Sequence, residues 1–313
     1  MDGPSFHSRT TLRIGIDLGG SKSEIALLTP DGRTLCRYRR PTPRGSYEAI
    51  LQSVVSLVQE VEDRWKVRGI PIGIGTPGSI SPETGLLQNS NITELNGKPL
   101  RKDLQELLGP RVRIENDANC FTLSEARDGA ACHARVVFGV ILGTGTGGGI
   151  VVEGKLLPGV NRVAGEWGHN PLPWPTPEEF PGPPCYCGKR GCIETFLSGP
   201  GLSLDFRTKT GLELSAQIIA ERSRQGDMQC REAILLYIDR LARSLACVIN
   251  ILDPDVIVLG GGLSQIPAIY TEIGKFLPRY VFFSHTPRTR IVRNLHGDSS
   301  GVRGAAWLWD LES

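Results

Sequence analysis

The sequence predicts an α/β protein made of two related lobes, and three observations carry that reading. Short β-branched runs alternate with amphipathic segments, the pattern of sheets covered by helices. Three apolar strands empty into glycine turns, at Gly19, Gly143 and Gly260. The first two of these turns lead straight into another apolar strand, so Ile14 to Leu28 and Val140 to Val152 repeat one strand–turn–strand pattern.

Taken in order, Leu12 to Asp17 reads as a strand and Gly19-Gly20-Ser21-Lys22-Ser23 as a turn. Glu24 to Thr29 and Arg33 to Arg39 are two more strands around a Pro30-Asp31-Gly32 turn. A strand rather than a helix follows the first glycines, so neither the dinucleotide-binding fingerprint nor the Walker loop is present. Any phosphate held there is held by a hairpin. Tyr47 to Trp65 is a helix, with Ile50, Leu51, Val54, Leu57, Val58 and Val61 on one stripe. Ile70 to Gly75 is a strand ending in Thr76-Pro77-Gly78-Ser79, Pro99 to Leu108 a short helix, Val112 to Glu115 the strand that delivers Asn116 and Asp117, and Cys120 to Gly129 a helix. The stretch Gly159 to Pro184 carries seven prolines from Pro171 onward and is expected to be irregular. Helices near Ser215 to Arg224 and over Met228 to Leu252 follow. A buried strand, Asp255 to Leu259, then leads through Gly260-Gly261-Gly262 into a helix over Pro267 to Leu277. Thr289 to Val292 is a last strand. Gly301 to Trp309 is a closing helix whose Gly304, Ala305 and Ala306 permit close packing.

Composition narrows the function. Apolar content of 40% and charged content of 22% are those of a globular chain, and a net charge of +2 with no basic block gives nucleic acid no footprint. No apolar run approaches the ~18–20 residues that span a bilayer. Residues 1–11 are polar and lack a signal-peptide core, so a flexible extension and a cytoplasmic setting are expected. Asp117, at a strand end, is placed to accept a proton, and glycine turns expose N–H groups that hold phosphate. Together they point to phosphoryl transfer to a hydroxyl. The turns at Gly19 and Gly143 suit the phosphates, and the flat turn at Gly260 suits a base and ribose. His169, Cys185, Cys187 and Cys192 form a full thiolate–imidazole set for a structural Zn²⁺, which would pin the proline-rich loop. Glu166 and Glu194, close in sequence to His169 and Cys192, become two oriented carboxylates suited to a substrate with several hydroxyls.

The pieces Asp17 to Ser23, Glu115 to Asn119, Leu142 to Gly149, Gly165 to His169, Cys185 to Glu194 and Val256 to Gly262 together resemble the ROK family of sugar kinases and repressors. The resemblance spans Ile14 to Trp309. It implies an actin-like ATPase (ribonuclease H-like) fold: an N-terminal lobe, 12–118, joined by the C-terminal helix 298–313; a C-terminal lobe, 119–297, with a zinc-anchored loop 165–194; and an active-site cleft between the lobes. It also implies roles. Asp117 would be the general base. Asn116, Asp117, Glu166, His169 and Glu194 would surround the sugar, with Gly78 nearby. Asp17 would stand by Mg²⁺ and the phosphates. Gly19, Gly20, Ser21 and Lys22, with Gly143, Thr144, Gly145, Gly147 and Gly148, would hold the phosphates of ATP. Gly260, Gly261 and Gly262 would meet its adenosine. A homodimer is expected. Within the family the chain is most similar to fructokinase/mannokinase-type members, through Gly78 to Pro82, Asn170 to Trp174 and His296 to Trp309. Fructose is therefore the expected sugar, with N-acetylglucosamine kinase or glucokinase as the alternative. A sugar-responsive repressor would carry ~50–60 residues of helix-turn-helix ahead of the first strand, where this sequence has only Met1 to Thr11. The intact Asp117 and turns argue against a silent sugar-binding protein.

Overall fold

The computed structural model describes residues 12–283 and 287–310. The extension expected over 1–11 and the last three residues of the expected C-terminal helix lie outside the described residues. The chain divides into two compact units: one runs to Asp128 and also takes in 158–163 and the chain from Asp298 on, and the other comprises 129–157 and 164–297.

The first unit is built on a five-stranded sheet of order β3-β2-β1-β4-β7. Its strands are β1 (Arg13–Leu18), β2 (Lys22–Leu28), β3 (Thr34–Pro41), β4 (Ile72–Thr76) and β7 (Val112–Asn116); a small hairpin of β5 (Ser79–Ile80) and β6 (Leu87–Gln88) stands apart. β1, β2 and β3 pair antiparallel, while β1, β4 and β7 run parallel. The strand period of two sorts the side chains. Ile14, Ile16, Ile25, Leu27, Ile72 and Ile74 point to one face, where they meet Ile50, Val54, Leu57, Val58 and Val61 of helix α1 (Tyr47–Trp65) and Leu100 and Leu104 of helix α2 (Leu100–Leu108). Ser46 starts α1 by accepting a hydrogen bond from the Ala49 N–H at 3.1 Å.

The other face of this sheet carries glycines where side chains would be expected. The closing helix, Ser300–Trp307, lies so close there that a Cβ on Gly15 would stand 1.9 Å from the Val302 carbonyl oxygen, and one on Gly73 1.7 Å from that of Ala305. A Cβ on Gly304 of the helix itself would stand 1.6 Å from the Cys120 carbonyl oxygen of helix α3 (Asp117–Asp128). Helix α3 therefore belongs with the first unit, whereas the sequence reading drew the lobe boundary at 118. Its partner is nearly two hundred residues downstream, and no local signal announces it. The chain end is tied down by the Trp309 indole, which donates to the Ile72 carbonyl at 2.9 Å, and by Arg113, which donates to the Leu308 carbonyl at 2.8 Å.

The second unit repeats the topology. Its sheet has the order β10-β9-β8-β11-β12, formed by β8 (Val136–Leu142), β9 (Thr146–Val152), β10 (Lys155–Leu156), β11 (Val256–Gly260) and β12 (Arg290–Arg293). As in the first sheet, the leading hairpin strands are antiparallel and the later strands parallel to the first. The repeat seen as two glycine hairpins thus extends to whole sheets. Phe138, Val140, Leu142, Ile257 and Leu259 pack against the long helix Met228–Leu252 and the helices Gly199–Thr210, Ala216–Arg224 and Pro267–Phe276. The short helix Glu194–Leu197 and the helix Gly199–Thr210 are absent from the sequence reading, because the prolines upstream and Gly199-Pro200-Gly201 mask their weak amphipathic pattern.

The proline-rich loop is held by charge as well. Glu179, buried, accepts from Arg240 at 2.8 Å and from Arg243 at 2.8 Å, both buried on the long helix, and Arg243 also donates to the Trp174 carbonyl at 2.7 Å. Burial alone would raise the Glu179 carboxyl; the hydrogen bonds and charges of Arg243 and Arg240 outweigh it and bring the carboxyl from an ordinary 4.5 down to about 2. A carboxylate with a depressed folded-state pKa stabilises fully above about 4.5, and its contribution falls away as pH drops toward 2. Two outcomes follow. Glu179→Ala leaves two buried guanidinium groups uncompensated and should cost ~3–5 kcal/mol in denaturant unfolding at neutral pH, with the gap to wild type narrowing in acid. Gly304→Ala forces a methyl into the backbone of α3 and should lower Tm, at a cost of ~1–3 kcal/mol.

Candidate active site

In the first unit the candidate residues gather where the parallel strands end. The register sets Asp17 of β1, Gly75 of β4 and Glu115 of β7 side by side, with Asn116 and Asp117 just beyond. Ligands of open α/β sheets bind outside the carboxyl ends of the strands. Asp117 is not in a loop: it is the first residue of α3. The start of this helix is capped by Asn116, whose side-chain oxygen accepts from the Ala118 N–H at 2.9 Å and the Asn119 N–H at 3.3 Å. The Asn116 amide donates to the Gly78 carbonyl at 3.0 Å, joining the strand end to the β5–β6 hairpin. Gly78 has φ +86°, and a Cβ there would lie 2.4 Å from the Gln88 carbonyl oxygen, so this approach requires glycine.

Two carboxyls share this strand end. Burial pushes the Asp117 carboxyl above its ordinary range, against the opposing pull of the Ala118 N–H, which it accepts at 2.8 Å. Asp17 is raised to about 7, first by burial and then by the charges of Asp117 and Glu24. A buried acidic pair short of compensation is the environment a divalent cation neutralises, so these residues fit Mg²⁺. The glycine turn following β1 is tight: Gly19 N–H donates to the Lys22 carbonyl at 3.1 Å, and Gly20, Ser21 and Lys22 are exposed. Thr42, which sequence reasoning missed, staples the turn. Its hydroxyl donates to the Gly19 carbonyl at 2.6 Å and its N–H to the Ser21 carbonyl at 3.1 Å. Glu115 is a second miss. It accepts from the Asn119 amide at 3.1 Å and pairs with Arg162 at 3.1 Å, bracing the residues on either side of Asp117. A cavity of about 270 Å³ opens beside Gly78 and Glu115, with Ser79, Ile80, Leu87 and Ile114 among its walls.

In the second unit, β8 and β11 are neighbours and their turns lie side by side: Gly260 pairs with Ile141, and a Cβ on Gly261 (φ +81°) would meet the Leu142 carbonyl oxygen at 2.4 Å. Gly262 faces open space. The turn between β8 and β9 is confined to Gly143, Thr144 and Gly145. Gly147 and Gly148 lie inside β9, paired with Ile141 and Val140, and the Gly147 carbonyl accepts from the Trp167 indole at 3.0 Å. Glu194 reaches this turn, accepting from the Thr146 N–H at 2.8 Å. Glu166 is exposed and immediately precedes the single 3₁₀ turn Trp167–His169.

Both glutamates are anchored by the cysteine cluster. One ligand atom from each of His169, Cys185, Cys187 and Cys192 lies within 4.8 Å of the others. The Cys187 and Cys192 sulfurs are 3.6 Å apart, and Cys185 Sγ is 3.6 Å from His169 Nδ1. Tetrahedral Zn–S bonds of ~2.3 Å separate two sulfurs by ~3.8 Å, so the donor set and its spacing fit zinc. His169 Nε2 is hydrogen-bonded to the Tyr186 hydroxyl at 3.0 Å, leaving Nδ1 to face the sulfurs. Two backbone bonds, Leu172 N–H to the Gly191 carbonyl at 2.8 Å and Ile193 N–H to the Asn170 carbonyl at 2.9 Å, lock the histidine arm to the cysteine arm.

The ROK family profile matches residues 13–312. The N-acetyl-D-glucosamine kinase of Escherichia coli K12 is 42% identical over 299 residues, covering 94% of this chain and 98% of its own. A ROK hexokinase structure from Thermus thermophilus superposes with a TM-score of 0.83 at 31% identity, over 94% of this chain and 96% of that one. A ROK family glucokinase from Streptomyces griseus, in complex with glucose and AMPPNP, gives 0.78 at 28% identity, over 95% and 98%.

The metal site has a direct check. Protein purified without chelators should carry about one zinc per chain by elemental analysis. Cys187→Ser should release it and lower Tm, since a structural zinc is coupled to folding. Zinc-free wild-type protein with an unchanged Tm would contradict the assignment.

Proposed function

The chain belongs to the ROK family, has the actin-like ATPase fold and is an ATP-dependent sugar kinase; from that premise we propose that the sugar it phosphorylates is N-acetylglucosamine, at the 6-hydroxyl. The observation that carries the substrate is the 42% identity, across nearly the whole of both chains, with N-acetylglucosamine kinases. The fructose expected from the sequence has no such support. The cavity beside Gly78 agrees with an acetylated sugar: Ile80, Leu87 and Ile114 offer apolar surface to a methyl group, and Ser79 offers a polar partner to an amide. Fructose has no substituent to fill it.

In this reading Asp117 is the general base. Its buried carboxyl, raised above the range of an exposed aspartate, is a stronger proton acceptor for a sugar hydroxyl. Asn116 fixes the sugar side of the site through Gly78, Glu166 and Glu194 bind further hydroxyls from the zinc-anchored loop, and His169 does so by exchanging the Tyr186 hydroxyl at Nε2 for one of the sugar's. The N–H groups of Gly20 and Ser21, with Lys22, and those of Thr144 and Gly145 hold the phosphates, while Gly19 and Gly143 close the turns by donating to the Lys22 and Gly145 carbonyls; Gly260 to Gly262 offer a side-chain-free surface to the adenosine. Gly147 and Gly148 serve by letting the Gly165–His169 segment press against β9, where a Cβ on Gly148 would lie 2.9 Å from the Gly165 carbonyl oxygen. Asp17 holds Mg²⁺, which when bound neutralises charge on the transferring phosphoryl group. A cytoplasmic setting supplies ATP and keeps the zinc thiols reduced.

ADP release from Mg-ATP, measured with N-acetylglucosamine, N-acetylmannosamine, glucose, mannose and fructose, tests the substrate. The highest kcat/KM is expected for N-acetylglucosamine; a higher value for fructose would reverse the reading. Asp117→Asn should lower kcat by ~10²–10⁴-fold while calorimetry still detects sugar binding. Near-normal turnover in that variant would remove Asp117 from the chemistry.

A further inference from the structure

Glycines of the first unit mark close approaches between the closing helix and its neighbours, and Gly301 differs in kind from Gly15, Gly73 and Gly304. At Gly15, Gly73 and Gly304 a Cβ would strike backbone within 2 Å, which cannot yield. Gly301 lies in the first turn of the closing helix, with φ outside the left-handed region, so its backbone does not call for glycine; in a helix interior alanine is the more favourable residue. The three heavy atoms nearest to a Cβ built there all belong to one side chain: Asp17 Oδ2 at 2.9 Å, Cγ at 3.3 Å and Oδ1 at 3.8 Å.

We propose that Gly301 is a positioning residue for phosphoryl transfer: the side chain it lacks is the seat of the Asp17 carboxylate. The inference rests on the proposed role of Asp17 toward Mg²⁺ and the phosphates. The helix cannot move aside to make room. Ser300 donates to the fully buried Glu125 of α3 at 2.7 Å, and the far end is held by Trp309 on Ile72 at 2.9 Å. A methyl at 301 is therefore accommodated by turning the Asp17 carboxylate out of its seat. The charges of Asp117 and Glu24 repel the carboxylate, and those of Lys22 and Arg39 attract it. The displaced carboxylate leaves the position from which the end of β1 serves the cation.

Gly301→Ala tests this, with Gly304→Ala as the packing control. Gly301→Ala is expected to keep or raise Tm, to lower kcat ~10–100-fold, as expected for a catalytic group misplaced by about an ångström, and to raise the Mg²⁺ concentration for half-maximal rate, with the KM for sugar unchanged. A binding readout needs neither turnover nor sugar: affinity for a fluorescent ATP analogue should fall in the presence of Mg²⁺ and stay at the wild-type value in its absence. In an Asp17→Asn background, Gly301→Ala should add no further loss of Mg²⁺-dependent binding. Wild-type kinetics and Mg²⁺ dependence in Gly301→Ala would overturn the proposal. So would a Tm loss like that of Gly304→Ala, or an equal additional loss in the Asp17→Asn background. Failure of wild-type protein to phosphorylate N-acetylglucosamine would refute the substrate while leaving the nucleotide-binding comparison intact.

Discussion

The first unit depends on backbone meeting backbone. The closing helix can lie on the sheet and on α3 only because Gly15, Gly73 and Gly304 present no side chain. That contact fixes three elements at once. It presses the helix against β1 and β4, it draws α3 into the same layer, and it brings the start of the helix beside Asp17. Asp17 is the penultimate residue of β1 and Asp117 opens α3, so both acids sit on elements that these glycine contacts hold together. Dispersion gained over such tight backbone contact is lost wholesale if a methyl intervenes.

The two sheets share one topology and divide the chemistry. The strand ends of the first lead to carboxyls, Asp17 and Asp117; burial raises both, and the charge of Asp117 raises Asp17 further. The strand ends of the second carry glycine turns, at Gly143 and Gly260, that present N–H groups and flat surface. The proposed phosphoryl transfer draws on both kinds of group: acids to accept a proton and engage a cation, and N–H groups to donate to anions. The proline-rich segment of the second unit is held by the buried Glu179–Arg240–Arg243 cluster, and its His169, Cys185, Cys187 and Cys192 converge on a set that fits zinc, with Glu166 and Glu194 close to it in sequence.

What was legible in the sequence is what local pattern encodes. Helix α1 begins and ends where its apolar stripe says, the glycine turns end the strands they were read from, and the Cys/His spacing closes into one cluster. Pairings between distant segments were not legible. Thr42 staples the first turn from just beyond the end of β3, where the sequence gives no hint of it. Glu115 braces α3 through Asn119 and Arg162. Two ordinary-looking arginines on an amphipathic helix turn out to be buried on Glu179. The lobe boundary was misplaced for the same reason, since α3 finds its partner only in three dimensions. Glycine was the hardest residue to read. A run such as Gly143 to Gly149 looks uniform, yet its first members form an open turn while Gly147 and Gly148 lie in a strand pressed by Trp167. The proposed sugar was not legible either: it is supported by likeness over the whole chain and by the walls of the cavity near Gly78, and not by a motif.

The proposed reaction sends the γ-phosphate of ATP to a sugar hydroxyl, with Asp117 as the base and Asp17 beside Mg²⁺. The most direct measurement is ³¹P and ¹H NMR of wild-type protein incubated with Mg-ATP and N-acetylglucosamine. New phosphomonoester signal, coupled to the methylene protons at C6 and growing in step with ADP, is expected. Inorganic phosphate as the sole new signal, or phosphate attached at the anomeric carbon, would contradict it.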